Sequence, residues 1–136
     1  MIVSTNAKVS LCITTYNRPD FLAKVLAHVR RQKRFPDEVL ICDDGSGETT
    51  RTLIQKEAAT FPVPLRHLCQ EDQGWRVSRA RNNGIREAGS PYLVFIDGDC
   101  IPHPNFIGDH LRLARPGHLV FGDRVHVKAP HTGSFR

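Results

Sequence analysis

Residues 92–99 read YLVFIDGD, an apolar run followed directly by two carboxylates on either side of a glycine. A short run that is apolar throughout is typical of a strand buried on both faces of a parallel sheet. We therefore predict a strand over Tyr92–Ile96. Ligands bind at the carboxyl ends of the strands in such sheets, so Asp97 and Asp99 stand where a binding site is expected.

Apolar strands and amphipathic helices alternate along the rest of the chain. Further strands are predicted over Val9–Thr15, Glu38–Asp43 and Leu65–Leu68. Helices are predicted over residues 20–32, 48–59, 75–88 and 104–114, with Asp20, Ser46 and His103 as caps and Pro104 first in the last helix. An extended segment is expected over residues 119–127, broken near Gly122. This alternation predicts an α/β fold, a mostly parallel sheet with helices on both faces, joined by right-handed crossovers.

The composition is that of one globular domain, with 136 residues, 40% hydrophobic and 24% charged. We expect this domain over residues 1–128 and a flexible tail over residues 129–136. The longest apolar run is strand-sized, and the N-terminus has no secretory signal pattern, so a cytoplasmic location is expected. The four cysteines follow no metal-finger or CxxC spacing, which favours reduced thiols in the core.

The net charge of +5 favours anionic ligands, yet acidic residues gather where the predicted strands end. These are Asp43, Asp44, Glu71, Asp72, Asp97 and Asp99. A nucleic-acid partner would explain the net charge but not this acidic edge, which repels phosphates unless a metal is bound. We therefore expect no nucleic acid, and a site built from carboxylates.

Two carboxylates separated only by Gly98 can converge on one hard cation. Mg²⁺ and Mn²⁺ take oxygen ligands and often share them with substrate phosphates, so Asp97 and Asp99 are candidate metal ligands. The alternative is an Asp-Gly turn that leads into a helix. Arg81 falls on the apolar face of its predicted helix, where a charge must pair or reach solvent. Its partner is either a phosphate or a carboxylate such as Asp97 or Asp44.

Four segments together resemble the family 2 glycosyltransferases, whose fold is called GT-A. They are VSLCITTYNRPDFL (9–22), EVLICDDGSGETT (38–50), QEDQGWRVSRARNNGIREA (70–88) and YLVFIDGDCIPHPNFI (92–107). The stretch from Asp72 to Asn82, together with the proline-rich segment after Asp97-Gly98-Asp99 (the DxD motif), is most similar to bacterial capsule and chondroitin-polymerase domains. The resemblance implies the N-terminal, nucleotide-sugar-binding half of such an enzyme.

The resemblance also implies roles for individual residues. The expected nucleotide-binding set is Thr15, Tyr16, Asn17, Asp43, Asp44, Gly74, Arg81, Asp97 and Gly98. Asp97 and Asp99 would hold Mn²⁺ or Mg²⁺, the direct ligand being Asp99. The implied reaction is transfer of a sugar, with inversion, from a nucleotide sugar, expected to be a UDP-sugar, to a glycan or lipid-linked acceptor.

The chain departs from this family where the acceptor half would follow. The catalytic base lies in that half, and after Asp99 the only acidic residues are Asp109 and Asp123. Asp123 is the candidate base, and a partner chain or a missing C-terminal half are the other sources. A nucleotide-sugar-binding module without turnover is therefore the alternative function.

Other α/β enzymes explain less of the sequence. A haloacid-dehalogenase-type phosphatase shares the strand-DxD pattern, but it needs a downstream acidic pair that the chain lacks. A sugar nucleotidyltransferase or P-loop enzyme needs a glycine-rich loop after the first strand, and residues 14–18 contain no glycine. The basic run over residues 30–34 predicts a solvated face, with peripheral contact at the inner face of the membrane as the second option.

Overall fold

The structure is a computed structural model that describes Ser4 and residues 6–128. Four strands alternate with four helices in the order β1 (Val9–Thr15), α1 (Pro19–Val29), β2 (Glu38–Asp43), α2 (Glu48–Thr60), β3 (Leu65–Cys69), α3 (Val77–Glu87), β4 (Tyr92–Asp97) and α4 (Phe106–Leu113). The strands form one parallel sheet in the order β3-β2-β1-β4. The predicted α/β architecture is confirmed.

The register of the sheet brings the carboxyl ends of the strands together. Thr15 lies opposite Asp43 in β2, and Thr14 lies opposite Asp97 in β4. All seven residues of β1 are buried, as expected for a central strand covered on both faces. The polar residues that follow β1, β2 and β4 therefore share one edge of the sheet.

Helices cover both faces of the sheet. One face packs against α1, α2 and α4 in a core that includes Leu11, Leu26, Ile54 and Ile107. The opposite face is smaller, and there Cys12, Leu40 and Cys42 pack against Ala80 of α3. Helix α3 approaches closely at Gly84, where a Cβ would lie 2.6 Å from Cys42 Sγ. A glycine at this position lets the helix rest directly on the strands.

The predicted helix caps are wrong. Helices α1, α2 and α4 begin after Arg18, Gly47 and Asn105, and no side chain caps any of them. Ser46 instead donates its hydroxyl to Asp43, and His103 Nδ1 accepts from the Asn105 N–H, one residue before the helix. Asp20 and Pro104 are likewise misplaced, since Asp20 lies inside α1 and Pro104 lies in the turn before α4.

Two further expectations fail in part. Residues 119–127 join no strand of the described sheet, and Leu119, Phe121 and Val125 are largely exposed. All four cysteines are free thiols, but only Cys12 and Cys42 lie in the core. Cys69 is exposed at the end of the edge strand β3, and Cys100 is partly exposed. The predicted tail, residues 129–136, lies outside the described residues. Within the described chain, no helix combines the length and the apolar character that crossing a membrane requires.

Candidate functional site

A cleft of about 530 Å³ opens at the carboxyl ends of β1 and β4. Its walls contain seven of the nine predicted nucleotide-binding residues, together with the predicted metal ligand Asp99. The seven are Thr15, Tyr16, Asp44, Gly74, Arg81, Asp97 and Gly98. The sheet brings these residues together because the loops that follow its strands converge on one edge. The cleft is therefore the candidate functional site.

Asp97 is the most heavily contacted carboxylate of the cleft. Its Oδ1 accepts hydrogen bonds from Thr14 Oγ1 and from Arg81 Nη2, each at 2.9 Å. Its Oδ2 lies 3.7 Å from Arg124 Nη1. The arginine that the sequence placed on an apolar helix face is therefore paired with Asp97. Because both side chains remain partly exposed, this ion pair can open at a modest energetic cost.

The turn after β4 is fixed by Gly98. Its N–H donates to the Thr14 carbonyl at 2.7 Å, and a Cβ at this position would lie 2.6 Å from that same oxygen. Any larger residue would therefore displace the turn from the end of β1. This close contact holds the carboxylates on either side of Gly98 at the cleft.

The donor atoms of Asp97, Asp99 and Cys100 lie within 4.8 Å of one another. Burial, together with the negative charge of Asp99 and Asp97, raises the pKa of the Cys100 thiol. Two of the three candidate ligands in this group are carboxylates. An oxygen donor set fits Mg²⁺ or Mn²⁺ better than a thiophilic metal.

The Thr15 hydroxyl is the unsatisfied polar group of the cleft. Its residue is 7% exposed, and its Oγ1 has no hydrogen-bond partner among the residues that the structure describes. Leaving a buried hydroxyl unpaired costs about 1–3 kcal/mol. A polar ligand group in the cleft would remove this penalty.

Asp44 is held at the cleft by the loop that precedes α3. Its Oδ1 accepts from Gln70 Nε2 at 2.6 Å and its Oδ2 from the Arg76 N–H at 2.9 Å. Gln70 is in turn held by Asn83 Nδ2, which donates to its Oε1 at 3.1 Å. The carboxylate is therefore pre-positioned by fixed donors, which is what a binding group requires.

Asp43, in contrast, is fully buried and does not line the cleft. Its Oδ1 accepts from the Ser46 N–H at 2.9 Å and from Ser46 Oγ at 2.6 Å, and its Oδ2 lies 2.6 Å from His67 Nε2. Burial opposes ionisation of Asp43, but the hydrogen bonds from His67 and Ser46 outweigh it and hold the pKa of this carboxyl below its usual value. Asp43 therefore shapes the loop after β2.

Asn17 also lies away from the cleft. Its N–H donates to Ser46 Oγ at 2.9 Å, its side-chain oxygen accepts from the Gly47 N–H at 2.8 Å, and its φ of +50° is left-handed. Asparagine tolerates this conformation better than most residues. Asn17 thus joins the loop after β1 to the loop after β2 through two hydrogen bonds, and in this way it positions its neighbour Tyr16.

Two aromatic residues, Tyr16 and Trp75, line the cleft. Tyr16 lines it and donates its hydroxyl to Asp72 Oδ2 at 2.9 Å, a bond that raises the pKa of the tyrosine. Trp75 also lines it, although the predicted helix start would have placed this residue in α3. Trp75 is 89% exposed, so core packing does not explain it. An exposed indole beside a polar cleft is suited to stacking on a planar ligand.

The structure adds residues that sequence reasoning did not assign to the site. His67 and Gln70 position the two aspartates after β2, while Arg18 and Arg124 line the cleft. Asp123, the candidate base, is exposed and is not among the lining residues. The alternation of strands and helices pointed to the edge of the sheet, but no pattern marked these side chains individually.

Asp109 and the basic run are engaged elsewhere. Asp109 pairs with Arg112 at 3.1 Å. Within the run, Arg30 pairs with Glu57 at 2.9 Å, Arg34 pairs with Asp37 at 3.1 Å, and Gln32 is buried. The five residues therefore do not form a continuous free basic surface.

The fold is a parallel α/β fold with a cleft at the carboxyl ends of its strands, and the comparisons give its family. The family model described as Glycosyl transferase family 2 matches residues 10–135. The chain belongs to this family.

Individual relatives agree with this assignment. The chain is 37% identical over 100 residues to a validoxylamine A glucosyltransferase of Streptomyces hygroscopicus subsp. limoneus, a match that covers 72% of this chain and 22% of the relative. It is 32% identical over 122 residues to a chondroitin synthase of Escherichia coli, covering 89% of this chain and 17% of the synthase. The predicted similarity to chondroitin-type polymerases is confirmed, and the chain spans about a fifth of the length of these two relatives.

A solved structure supports the fold. The mannosyltransferase PcManGT of Pyrobaculum calidifontis, determined in complex with GDP-Man and Mn²⁺, superposes with a TM-score of 0.71 at 23% identity. The match covers 85% of this chain and 35% of the mannosyltransferase. The fold predicted from the sequence, GT-A, is therefore confirmed.

Proposed function

We propose that the chain is the donor-binding part of a glycosyltransferase that transfers a sugar from a nucleotide sugar, specifically a UDP-sugar, to a glycan or lipid-linked acceptor. The observation that carries this proposal is the convergence of Asp97, Asp99 and Arg81 on a cleft that also contains the unpaired Thr15 hydroxyl. Carboxylates, a guanidinium and an unsatisfied hydroxyl match a metal-bound diphosphate better than an apolar ligand.

The lining of the cleft also contains groups that suit the base and the sugar of a nucleotide. Tyr16 and Trp75 offer aromatic surface to a base or sugar ring, and Asp44 offers carboxylate oxygens that accept from base N–H or ribose hydroxyl groups. Gly74 has a φ of +80°, so the loop between β3 and α3 can turn sharply beside the ligand. Asn17 and Asp43 support this arrangement by fixing the loops after β1 and β2.

Asp97 and Asp99 would hold the metal, which we propose to be Mn²⁺ or Mg²⁺. When bound, such an ion supplies positive charge that stabilises the departing diphosphate. Arg81 projects from α3 towards the same point and would donate to a phosphate oxygen after releasing Asp97. The side chains of this chain therefore bind and orient the leaving group.

The catalytic base is proposed to come from outside the described cleft. Inverting transfer needs a carboxylate that takes the proton of the acceptor hydroxyl. The carboxylates that line the cleft are Asp44, Asp97 and Asp99, and each already has a binding role. A further C-terminal segment or a partner chain would supply the base together with the acceptor site.

A second candidate function is a nucleotide-sugar-binding module without turnover. The exposed position of Asp123 away from the cleft favours this second function for the chain by itself.

We further propose a cytoplasmic location, which the four free cysteines support because disulfides are rare in reducing compartments. The internal pairing of Arg30 and Arg34 leaves little support for membrane contact at the inner face.

The test of the proposed function is UDP titration into the Asp99→Asn variant in Mn²⁺. We expect UDP affinity to fall at least about tenfold, in line with the losses that follow damage to metal sites. Asp109→Asn is the matched control, because Asp109 pairs with Arg112 outside the cleft. Unchanged UDP affinity in a folded Asp99→Asn protein would contradict the metal assignment.

A further inference from the structure

Arg124 lines the cleft together with Arg81, but it comes from the segment after α4. The two guanidinium groups contact different oxygens of Asp97, Arg81 at Oδ1 and Arg124 at Oδ2. We propose that Arg124 is a second diphosphate-binding residue that exchanges between Asp97 and the phosphates, and thereby couples metal binding to nucleotide binding. This inference rests on the proposed function, because it assigns a further residue to the same donor site.

The charge balance of the cleft supports the exchange. The lining carboxylates Asp44, Asp97 and Asp99 face three lining arginines, so the side-chain charges cancel. A divalent cation that enters alone leaves the cleft positively charged and must displace a guanidinium from Asp97. A cation that enters with a diphosphate brings an anion to which the displaced guanidinium can turn.

The way in which each arginine is attached explains why Arg124 is the one that exchanges. Arg81 is carried by α3, which is anchored to the sheet at Ala80 and Gly84. Arg124 lies in a segment without helix or strand, between the exposed Phe121 and Val125. Its side chain is 67% exposed, and its distance of 3.7 Å from Asp97 is that of a loose ion pair. A pair of this kind is weak and can be exchanged at little cost.

The proposal predicts opposite effects of Arg124→Ala on two ligands. Removing the guanidinium from Asp97 should tighten Mn²⁺ binding without nucleotide about two- to fivefold, the range expected for an exposed ion pair. Losing a charge-assisted hydrogen bond to phosphate should weaken UDP binding in saturating Mn²⁺ about tenfold or more. A residue that only supports the fold would not move the two affinities in opposite directions.

The experiment is a calorimetric titration of Mn²⁺ alone, and of UDP in saturating Mn²⁺, into wild type, Arg124→Ala, Arg124→Lys and Arg115→Ala. Arg115 is the matched control, because it is an exposed arginine of the same segment that does not line the cleft. We expect Arg124→Lys to retain more UDP affinity than Arg124→Ala, and Arg115→Ala to match wild type. Thermal melting checks that each variant is folded.

The outcomes separate this inference from the proposed function. If wild type binds UDP with Mn²⁺ but Arg124→Ala leaves both affinities unchanged, or shifts both in the same direction, the role of Arg124 is refuted and the donor site stands. If folded wild type binds none of UDP, GDP and dTDP in Mn²⁺, the proposed function fails, and the inference fails with it.

Discussion

Asp43→Asn tests how the loop after β2 is held in place, because the Asp43 carboxylate is fully buried and bonded on both oxygens. Asparagine has nearly the same shape, so its carbonyl oxygen can accept both bonds from Ser46. Its amide then faces His67 Nε2, and the ring must carry its proton on Nδ1 to accept. The substitution thus keeps the packing and removes the charge.

The size of the expected stability loss follows from the three contacts of Asp43 with Ser46 N–H, Ser46 Oγ and His67 Nε2. Each of them changes from a charge-assisted to a neutral hydrogen bond. Each change costs roughly 1 kcal/mol, the difference between typical bonds to charged and to neutral groups. The lower cost of burying an amide than a carboxylate offsets part of this loss. We expect Asp43→Asn to lower the free energy of unfolding by about 2 kcal/mol at pH 7, from these bond values.

The effect should depend on pH with a defined sign. Since the folded-state pKa of Asp43 is lowered, its charge contributes stability above the unfolded-state pKa of about 3.9. That contribution is lost as the pH falls through the folded-state pKa. The difference between wild type and Asp43→Asn should therefore shrink below about pH 4, while other depressed groups such as Asp37 affect both proteins equally.

The assay is urea unfolding followed by far-ultraviolet circular dichroism between pH 3 and pH 7. Trp75 is 89% exposed, so its fluorescence would be a poor reporter of unfolding. Asp20→Asn is the control, because the Asp20 side chain is 67% exposed and lies 3.8 Å from Arg18. A stability difference for Asp43→Asn that stays constant from pH 7 to pH 3, or that equals the control, would show that the charge of Asp43 does not stabilise the fold.

Two further substitutions probe α3. Arg81→Ala should weaken UDP binding and leave uridine binding unchanged, because it removes a phosphate contact. Calorimetric titration of both ligands tests this, with Arg79→Ala as the control because Arg79 is exposed. Equal losses of affinity for UDP and uridine would show that Arg81 has only a structural role. Gly84→Ala should destabilise the fold by about 1–2 kcal/mol, since overpacking against Cys42 exceeds the gain in helix propensity. The double variant with Cys42→Ala should recover part of that loss in urea unfolding, and a purely additive result would show that the contact is not the cause.

The edge of the sheet was predictable because it depends on hydrophobic pattern alone. The apolar runs of Val9–Thr15 and Glu38–Asp43 match their strands residue for residue, and β4 continues one residue beyond the predicted Ile96. Once parallel strands are assigned, their carboxyl ends must meet, so the grouping of Asp44, Asp97 and Asp99 follows. The site could therefore be predicted from the geometry of a parallel sheet rather than from any single motif.

The internal contacts of the loops were not predictable in the same way. His67 was one of seven histidines, and its contact with Asp43 depends on the register of β3 against β2, which places Cys69 opposite Asp43. The Ser46 hydroxyl could bond either the start of α2 or a carboxylate. It donates to the buried Asp43, because a hydrogen bond to a charged group is stronger. Arg124 lies in a segment without periodicity, so only the folded chain shows that it reaches Asp97.

We propose that the cleft binds a nucleoside diphosphate through a metal held by Asp97 and Asp99. The test is calorimetric titration of UDP into the purified chain, first with Mn²⁺ and then with a chelator. We expect saturable binding at one site per chain that disappears when the metal is removed. Binding that survives chelation, or no binding of UDP, GDP or dTDP to the folded protein in Mn²⁺, would contradict it.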